Sequence, residues 1–139
     1  MKSLIAEDDL TSRFLLQQIL QPFGPVHVVV NGQEAVKAVH DALASGKPYD
    51  LICLDIMMPE MDGVTALKAI RAEEARLAQL AFQMAGLRAQ AGCRILMTTA
   101  VSARSTVEAA IEAQCDGYLL KPYQPGNIRH QLREFGLIF

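Results

Sequence analysis

Five short apolar runs, residues 3–6, 26–30, 51–54, 95–98 and 118–120, are separated by longer stretches with helical periodicity. Parallel strands need a crossover between neighbours, usually a helix, so this alternation predicts an α/β fold around a parallel sheet. The runs show no polar alternation, so helices must cover both faces of that sheet. Phe14, Leu15, Ile19 and Leu20 define a first helix stopped by Gly24 and Pro25. Asn31 with Glu34 reads as a capping box for a second helix, which Gly46 and Pro48 close. Ser105 with Glu108 reads as another capping box, and Pro125 precedes a last helix over residues 127–135.

With right-handed crossovers, five strands and five helices predict a flavodoxin-like doubly wound (βα)5 sheet of order 2-1-3-4-5. The third helix is expected to be elongated, because residues 63–92 contain no strong breaker except Gly86. A continuous helix of that length extends about 42 Å at 1.5 Å per residue, well past strands of about 17–20 Å. Ile70, Leu77, Leu80, Met84 and Leu87 recur there at heptad-like offsets, which predicts a seam for a second subunit or a partner.

The 139 residues suffice for one domain, 1–139, and are expected to carry no output domain. A hydrophobic content of 51% with 20% charged residues belongs to a packed chain rather than a disordered one. The net charge of −2 comes from mixed signs without a basic run, which argues against direct nucleic-acid binding. The N-terminus has one Lys and a short apolar run ending in acids, unlike a secretory signal or a membrane span, so a cytoplasmic protein is expected. Cys53, Cys93 and Cys115 are odd in number and lack CxxC spacing, while His27, His40 and His130 show no ligand pattern. Reduced, structural thiols follow.

In the order 2-1-3-4-5 the first and third strands are neighbours, and their carboxyl ends meet where such sheets bind ligands. Both end in acid: Glu7, Asp8 and Asp9 follow the first run, and Asp55 follows the third. Asp9 reads as a helix cap only. Crowded carboxylates either hold protons through raised pKa values or recruit a cation, and an all-oxygen site with room for water suits Mg²⁺, or Mn²⁺ in its place. The fourth run ends in Thr98, Thr99 and Ala100, and the fifth in Lys121 and Pro122. A hydroxyl, an ammonium and a metal at one sheet edge can surround the oxygens of a transferring phosphoryl group.

The stretches LIAEDDLTSR, LICLDIMMPEMDG, LMTTA and GYLLKPY resemble, in that order, the acidic-pair, phosphoacceptor, hydroxyl and Lys-Pro motifs of CheY-like response-regulator receivers. The resemblance runs over almost the whole chain. It implies that Asp55 is the phosphoacceptor and that Glu7, Asp8, Asp55 and the backbone carbonyl of Met57 hold the metal. It implies further that Thr99, Ala100 and Lys121 meet the phosphoryl oxygens, that Thr99 and Tyr118 form a switch pair, and that Pro122 follows a cis bond. The chain departs from the pattern at Glu7, where Asp is commoner, and at Met57 and Val101, where polar residues are frequent. Neither Met57 nor Val101 can orient an attacking water, so slow loss of the phosphoryl group is expected.

The function so implied is a two-component switch. It takes a phosphoryl group from a histidine kinase or phosphotransfer protein and binds a downstream protein through its fourth helix, fifth strand and fifth helix. It catalyses nothing beyond its own phosphorylation and dephosphorylation. The alternative is a receiver-fold scaffold or oligomerisation module with little phosphotransfer, and a homodimer through the elongated helix is compatible with either. A flavodoxin-like cofactor binder is disfavoured because EDDLTS has three acids and no glycine where a nucleotide phosphate needs backbone N–H groups. A hydrolase is disfavoured because Ile56, Met57 and Met58 offer no general acid beside Asp55.

Overall fold

The computed structural model describes residues 1–87, 92–100 and 104–139. In chain order the elements are β1 (Ser3–Ala6), α1 (Leu10–Leu20), a 3₁₀ turn (Gln21–Phe23), β2 (Val26–Val29), α2 (Gly32–Ala44) and β3 (Leu51–Asp55). They continue with α3 (Gly63–Ala85), β4 (Arg94–Thr99), α4 (Arg104–Glu112), β5 (Gly117–Leu120) and α5 (Pro125–Glu134). All strands are parallel in the order β2-β1-β3-β4-β5, the flavodoxin-like order expected from the sequence. Ala6 lies opposite Leu54 and Asp55 opposite Thr98, so Glu7, Asp55 and Thr99 arrive together at one edge of the sheet.

The missing polar alternation reflects two cores. Leu4, Ile52, Leu54, Ile95 and Met97 pack under α2, α3 and α4 with Val39, Leu67, Ile70 and Ala110. Ile5, Leu51, Cys53 and Leu96 face the other way, against Leu16, Ile19 and Leu20 of α1 and Ile128 and Leu132 of α5. Each fully buried aliphatic side chain contributes about 1.5–3 kcal/mol, and the pleat delivers successive strand residues to opposite cores.

The helix signals hold at the N-termini of α1 and α2. Asp9 accepts from the Ser12 amide at 2.8 Å, and Asn31 accepts from the Glu34 amide at 2.8 Å while its own side-chain amide donates to Glu34. Ser105, expected as the N-cap of a box with Glu108, lies inside α4 as its second residue. A Ser-x-x-Glu pattern is equally compatible with an interior turn, and only the chain's position decides.

α3 is one helix of 23 residues, capped at Asp62 by hydrogen bonds to Thr65 and ended by Gly86 at φ 66°. Gly86 and Leu87 donate back to Phe82 and Ala81, a C-cap that only a left-handed residue permits. At about 1.5 Å per residue the helix outruns the strands, and its last turns leave the sheet. The seam expected along it divides. Ile70 is fully buried in its own core, and Leu77 and Leu87 line a groove of about 530 Å³ with Leu43, Tyr49 and Leu137. Phe82 and Met84 stand 62% and 83% exposed.

Arg71 fastens the middle of α3 to the sheet. Its guanidinium donates to Glu74 at 2.7 Å, to Asp116 at 2.7 Å and to the carbonyls of Cys93 and Gln114, and Glu74 in turn accepts from the Cys93 amide. Cys53, Cys93 and Cys115 are free thiols, and burial pushes Cys53 up to about 12 and raises the other two. They are inert packing groups.

Gly63 opens α3 where a Cβ would run into the Asp55 carbonyl and the Ile56 Cα, both backbone. At Gly126 a Cβ would meet nothing. Gly63→Ala is therefore expected to cost about 1–3 kcal/mol in urea unfolding, while Gly126→Ala leaves stability unchanged or slightly raised; equal midpoints for the two variants would contradict this packing.

Candidate functional site

Asp55 is the last residue of β3 and only 4% exposed, so its carboxylate leaves the core at the sheet edge rather than standing in solvent. The turn after it returns at once to the sheet. Ile56 donates to the Thr98 carbonyl and accepts from the Gly63 amide, both at 2.9 Å, while the Met57 amide donates to Asp55 Oδ1 at 3.3 Å. Glu7 extends β1 by one further ladder bond to Val29 and is fully buried. Asp8 follows it into solvent, ahead of the capping Asp9.

Lys121 closes the site from β5. Its amide donates to the Thr99 carbonyl at 2.8 Å, and the Lys121–Pro122 bond is cis. The ammonium donates to Glu7 Oε1 and, at 3.1 Å, to Asp55 Oδ2. Thr99 is fully buried at the end of β4, Ala100 is exposed beside it, and Tyr118 lies half-buried in β5. Met57 stands 65% exposed next to Asp55. Val101 lies outside the described residues.

The electrostatics follow from crowding. Burial and the neighbouring Asp55 raise Glu7 from an ordinary value of 4.5 to about 8, against the pull of Lys121. Burial alone would lower Lys121, but its hydrogen bonds to Glu7 and Asp55 and their charge hold it above its usual value. One cation thus serves two buried acids, with a third beside them.

Those acids fit a divalent cation. One oxygen from each of Glu7, Asp8 and Asp55 lies within 4.8 Å of the others, close to the span of ligands around one small hard ion. Glu7 Oε2 is buried without a hydrogen-bond partner among the described residues, an arrangement that costs roughly 1–3 kcal/mol unless something meets it. All-carboxylate ligation with space for water is the chemistry of Mg²⁺ or Mn²⁺.

The family described as the response regulator receiver domain matches residues 3–133. The chain belongs to that family. The receiver is 31% identical over 130 residues to the chemotaxis protein CheY of Bacillus subtilis, covering 90% of this chain and 88% of that one. It is also 31% identical over 141 residues to hybrid signal transduction histidine kinase G of Dictyostelium discoideum. That match takes in 99% of this chain but spans 4% of the kinase. The solved receiver domain of the histidine kinase CKI1 from Arabidopsis thaliana, complexed with Mg²⁺ and BeF3⁻, superposes with a TM-score of 0.76 at 25% identity. The superposition covers 97% of this chain and 89% of that one.

Two features of this receiver's site escaped sequence reasoning. One is the pairing of Glu7 with Lys121 across 114 residues, which needs both strand ends in place. The other is Tyr123, buried beneath the acids two residues after Lys121; its position in GYLLKPY was the only signal.

A raised Glu7 means that the metal-free folded state keeps a proton which the unfolded chain loses above about 4.5. Stability of the metal-free protein should therefore fall as pH rises from about 4.5 to about 8, and Mg²⁺ affinity should rise over the same window as the cation displaces the proton. Calorimetric titration with Mg²⁺ at a series of pH values checks this. Glu7→Gln should flatten the dependence, and a flat profile in the native protein would contradict it.

Proposed function

We propose that this receiver is a phosphoacceptor switch whose Asp55 takes a phosphoryl group from a histidine kinase or phosphotransfer protein. The supporting observation is the position of Asp55, a nearly buried carboxylate against the Lys121 ammonium at 3.1 Å and beside two further acids. In the transfer an Asp55 oxygen attacks phosphorus, the P–N bond to the donor imidazole breaks, and the leaving nitrogen keeps the bonding pair. Glu7, Asp8, Asp55 and the Met57 carbonyl would hold Mg²⁺, which neutralises charge on the phosphoryl oxygens. Lys121 and the Thr99 hydroxyl supply donors to those oxygens, and the Ala100 backbone borders them.

The same residues give the signal its route. Thr99 at the end of β4 moves toward the new phosphoryl group, and Tyr118 in the adjacent strand follows. Tyr118 lines a groove of about 430 Å³ with Val107, Leu120, Gln124 and Asn127, on the face of α4, β5 and α5. A downstream protein docks there. Catalysis of its own phosphorylation and dephosphorylation is the chain's only chemistry, and the cytoplasm is its place of action. Among the described residues no helix is long and apolar enough to cross a membrane.

Treated with acetyl phosphate and Mg²⁺, the intact protein should gain one phosphoryl group by mass spectrometry. The gain should be absent in Asp55→Ala and reduced about tenfold or more in rate in Asp8→Ala, as for a barrier raised by about 1.4 kcal/mol. A native protein that gains no phosphoryl group would return the chain to the scaffold reading, and labelling that persists in Asp55→Ala, or that ignores Mg²⁺, would overturn the assignment of Asp55 and its metal.

The end of α3 supports a homodimer. From Leu77 to Leu87 the chain has no charged side chain, and Leu80, Phe82 and Met84 are exposed beyond the sheet. Two such ends can pack together without like-charge repulsion. Sedimentation should show a dimer that Leu80→Glu with Met84→Glu returns to monomer; a wild type that stays monomeric, phosphorylated or not, would remove the dimer.

A further inference from the structure

A second polar atom beneath the acid pocket shares the condition of Glu7 Oε2. The Tyr123 hydroxyl is buried and has no hydrogen-bond partner among the described residues. Tyr123 is 5% exposed and packs in the core with Ile5, Cys53 and Leu96, under α1 and α5. Strand pleating carries side chains two residues apart to the same face. Glu7 therefore emerges above Ile5, Asp55 above Cys53 and Thr98 above Leu96, all on the face that Tyr123 fills.

The electrostatics agree with that placement. Burial pushes the Tyr123 phenol up, Thr98 opposes the rise, and Glu7, Cys53 and Asp55 add to it. These are the groups that the pleat brings beneath the site. Thr98 donates its hydroxyl hydrogen to the Leu54 carbonyl at 3.4 Å, which leaves its oxygen able to accept. Two orphaned atoms and one available acceptor on one face of the sheet supply the polar partners that hold an internal water.

We propose that Tyr123 is a positioning residue for Glu7, acting through one internal water. The phenol donates to that water, and the water donates to Glu7 Oε2 and to the Thr98 hydroxyl oxygen. The longer Glu side chain would otherwise swing between Lys121 and the core; fixed from below, its carboxylate presents one oxygen to the cation. Indirect support of this kind typically changes metal affinity by about 10–100-fold. The inference rests on the reading of Glu7 as a metal-holding residue.

Calorimetric titration of the full chain with Mg²⁺ tests it. Tyr123→Phe keeps the ring and its packing and removes only the hydroxyl, so the variant should fold. Its Mg²⁺ affinity should fall about tenfold. Glu7→Asp, whose shorter side chain draws away from the internal water, should remain measurable and be almost indifferent to Tyr123→Phe. An unchanged affinity in Tyr123→Phe overturns the inference, as does an equal loss when the same change is made in the native and the Glu7→Asp backgrounds, which a merely structural phenol would give. Glu7→Gln separates the two readings: an undiminished affinity there removes Glu7 from the metal site, and the role of Tyr123 falls with it.

Discussion

The structure turns on the confinement of two acids, Glu7 and Asp55, around one ammonium at the end of the sheet. Removing a carboxylate from water costs several kcal/mol, and a shared cation offsets only part of that. A site used for packing would place an aliphatic residue here. The domain instead keeps Glu7 fully buried, with one oxygen unpaired among the described residues and its pKa raised to about 8, which leaves it with affinity for a cation. Burial of this kind is found where charge is to be recruited, and an arriving phosphoryl group with its metal is such a charge.

Everything else serves to hold that edge still. Parallel pairing of β1 with β3 and of β3 with β4 sets the relative height of Glu7, Asp55 and Thr99, and the two cores clamp each strand from both sides. Gly63 lets the start of α3 press against the Asp55 carbonyl, and Arg71 pins the same helix to the Cys93 carbonyl just ahead of β4, at the opposite end of the sheet. The loop that follows Asp55 is thus anchored at both sides while Met57 stays exposed. Rigid support of a small reactive cluster is what positioning catalysis requires.

Much of this is legible in the sequence. Strand order followed from five unalternating runs and handedness, and Asp9 and Asn31 announced their helix starts by residue type. The convergence of Glu7, Asp8 and Asp55 followed from the same order. Ser105 misled because a capping pattern carries no information about whether a helix has already begun. The seam on α3 was read as one surface, whereas Ile70 belongs to the core and Met84 to solvent; heptad spacing cannot show where a helix leaves its domain. The Glu7–Lys121 pair and the buried Tyr123 phenol depend on contacts between distant strands, which no local pattern encodes.

The claim that the site gives up stability to hold a cation is tested most directly by urea unfolding of the native protein and Asp55→Asn as Mg²⁺ is added. Without metal and above about pH 8, where Glu7 is ionised, neutralising Asp55 relieves like-charge crowding, so the variant should be the more stable there. As Mg²⁺ rises, the native protein should gain RT ln(1 + [Mg²⁺]/Kd) and overtake a variant that gains little. A variant that is less stable without metal, and that responds to Mg²⁺ as strongly as the native protein, would contradict the account.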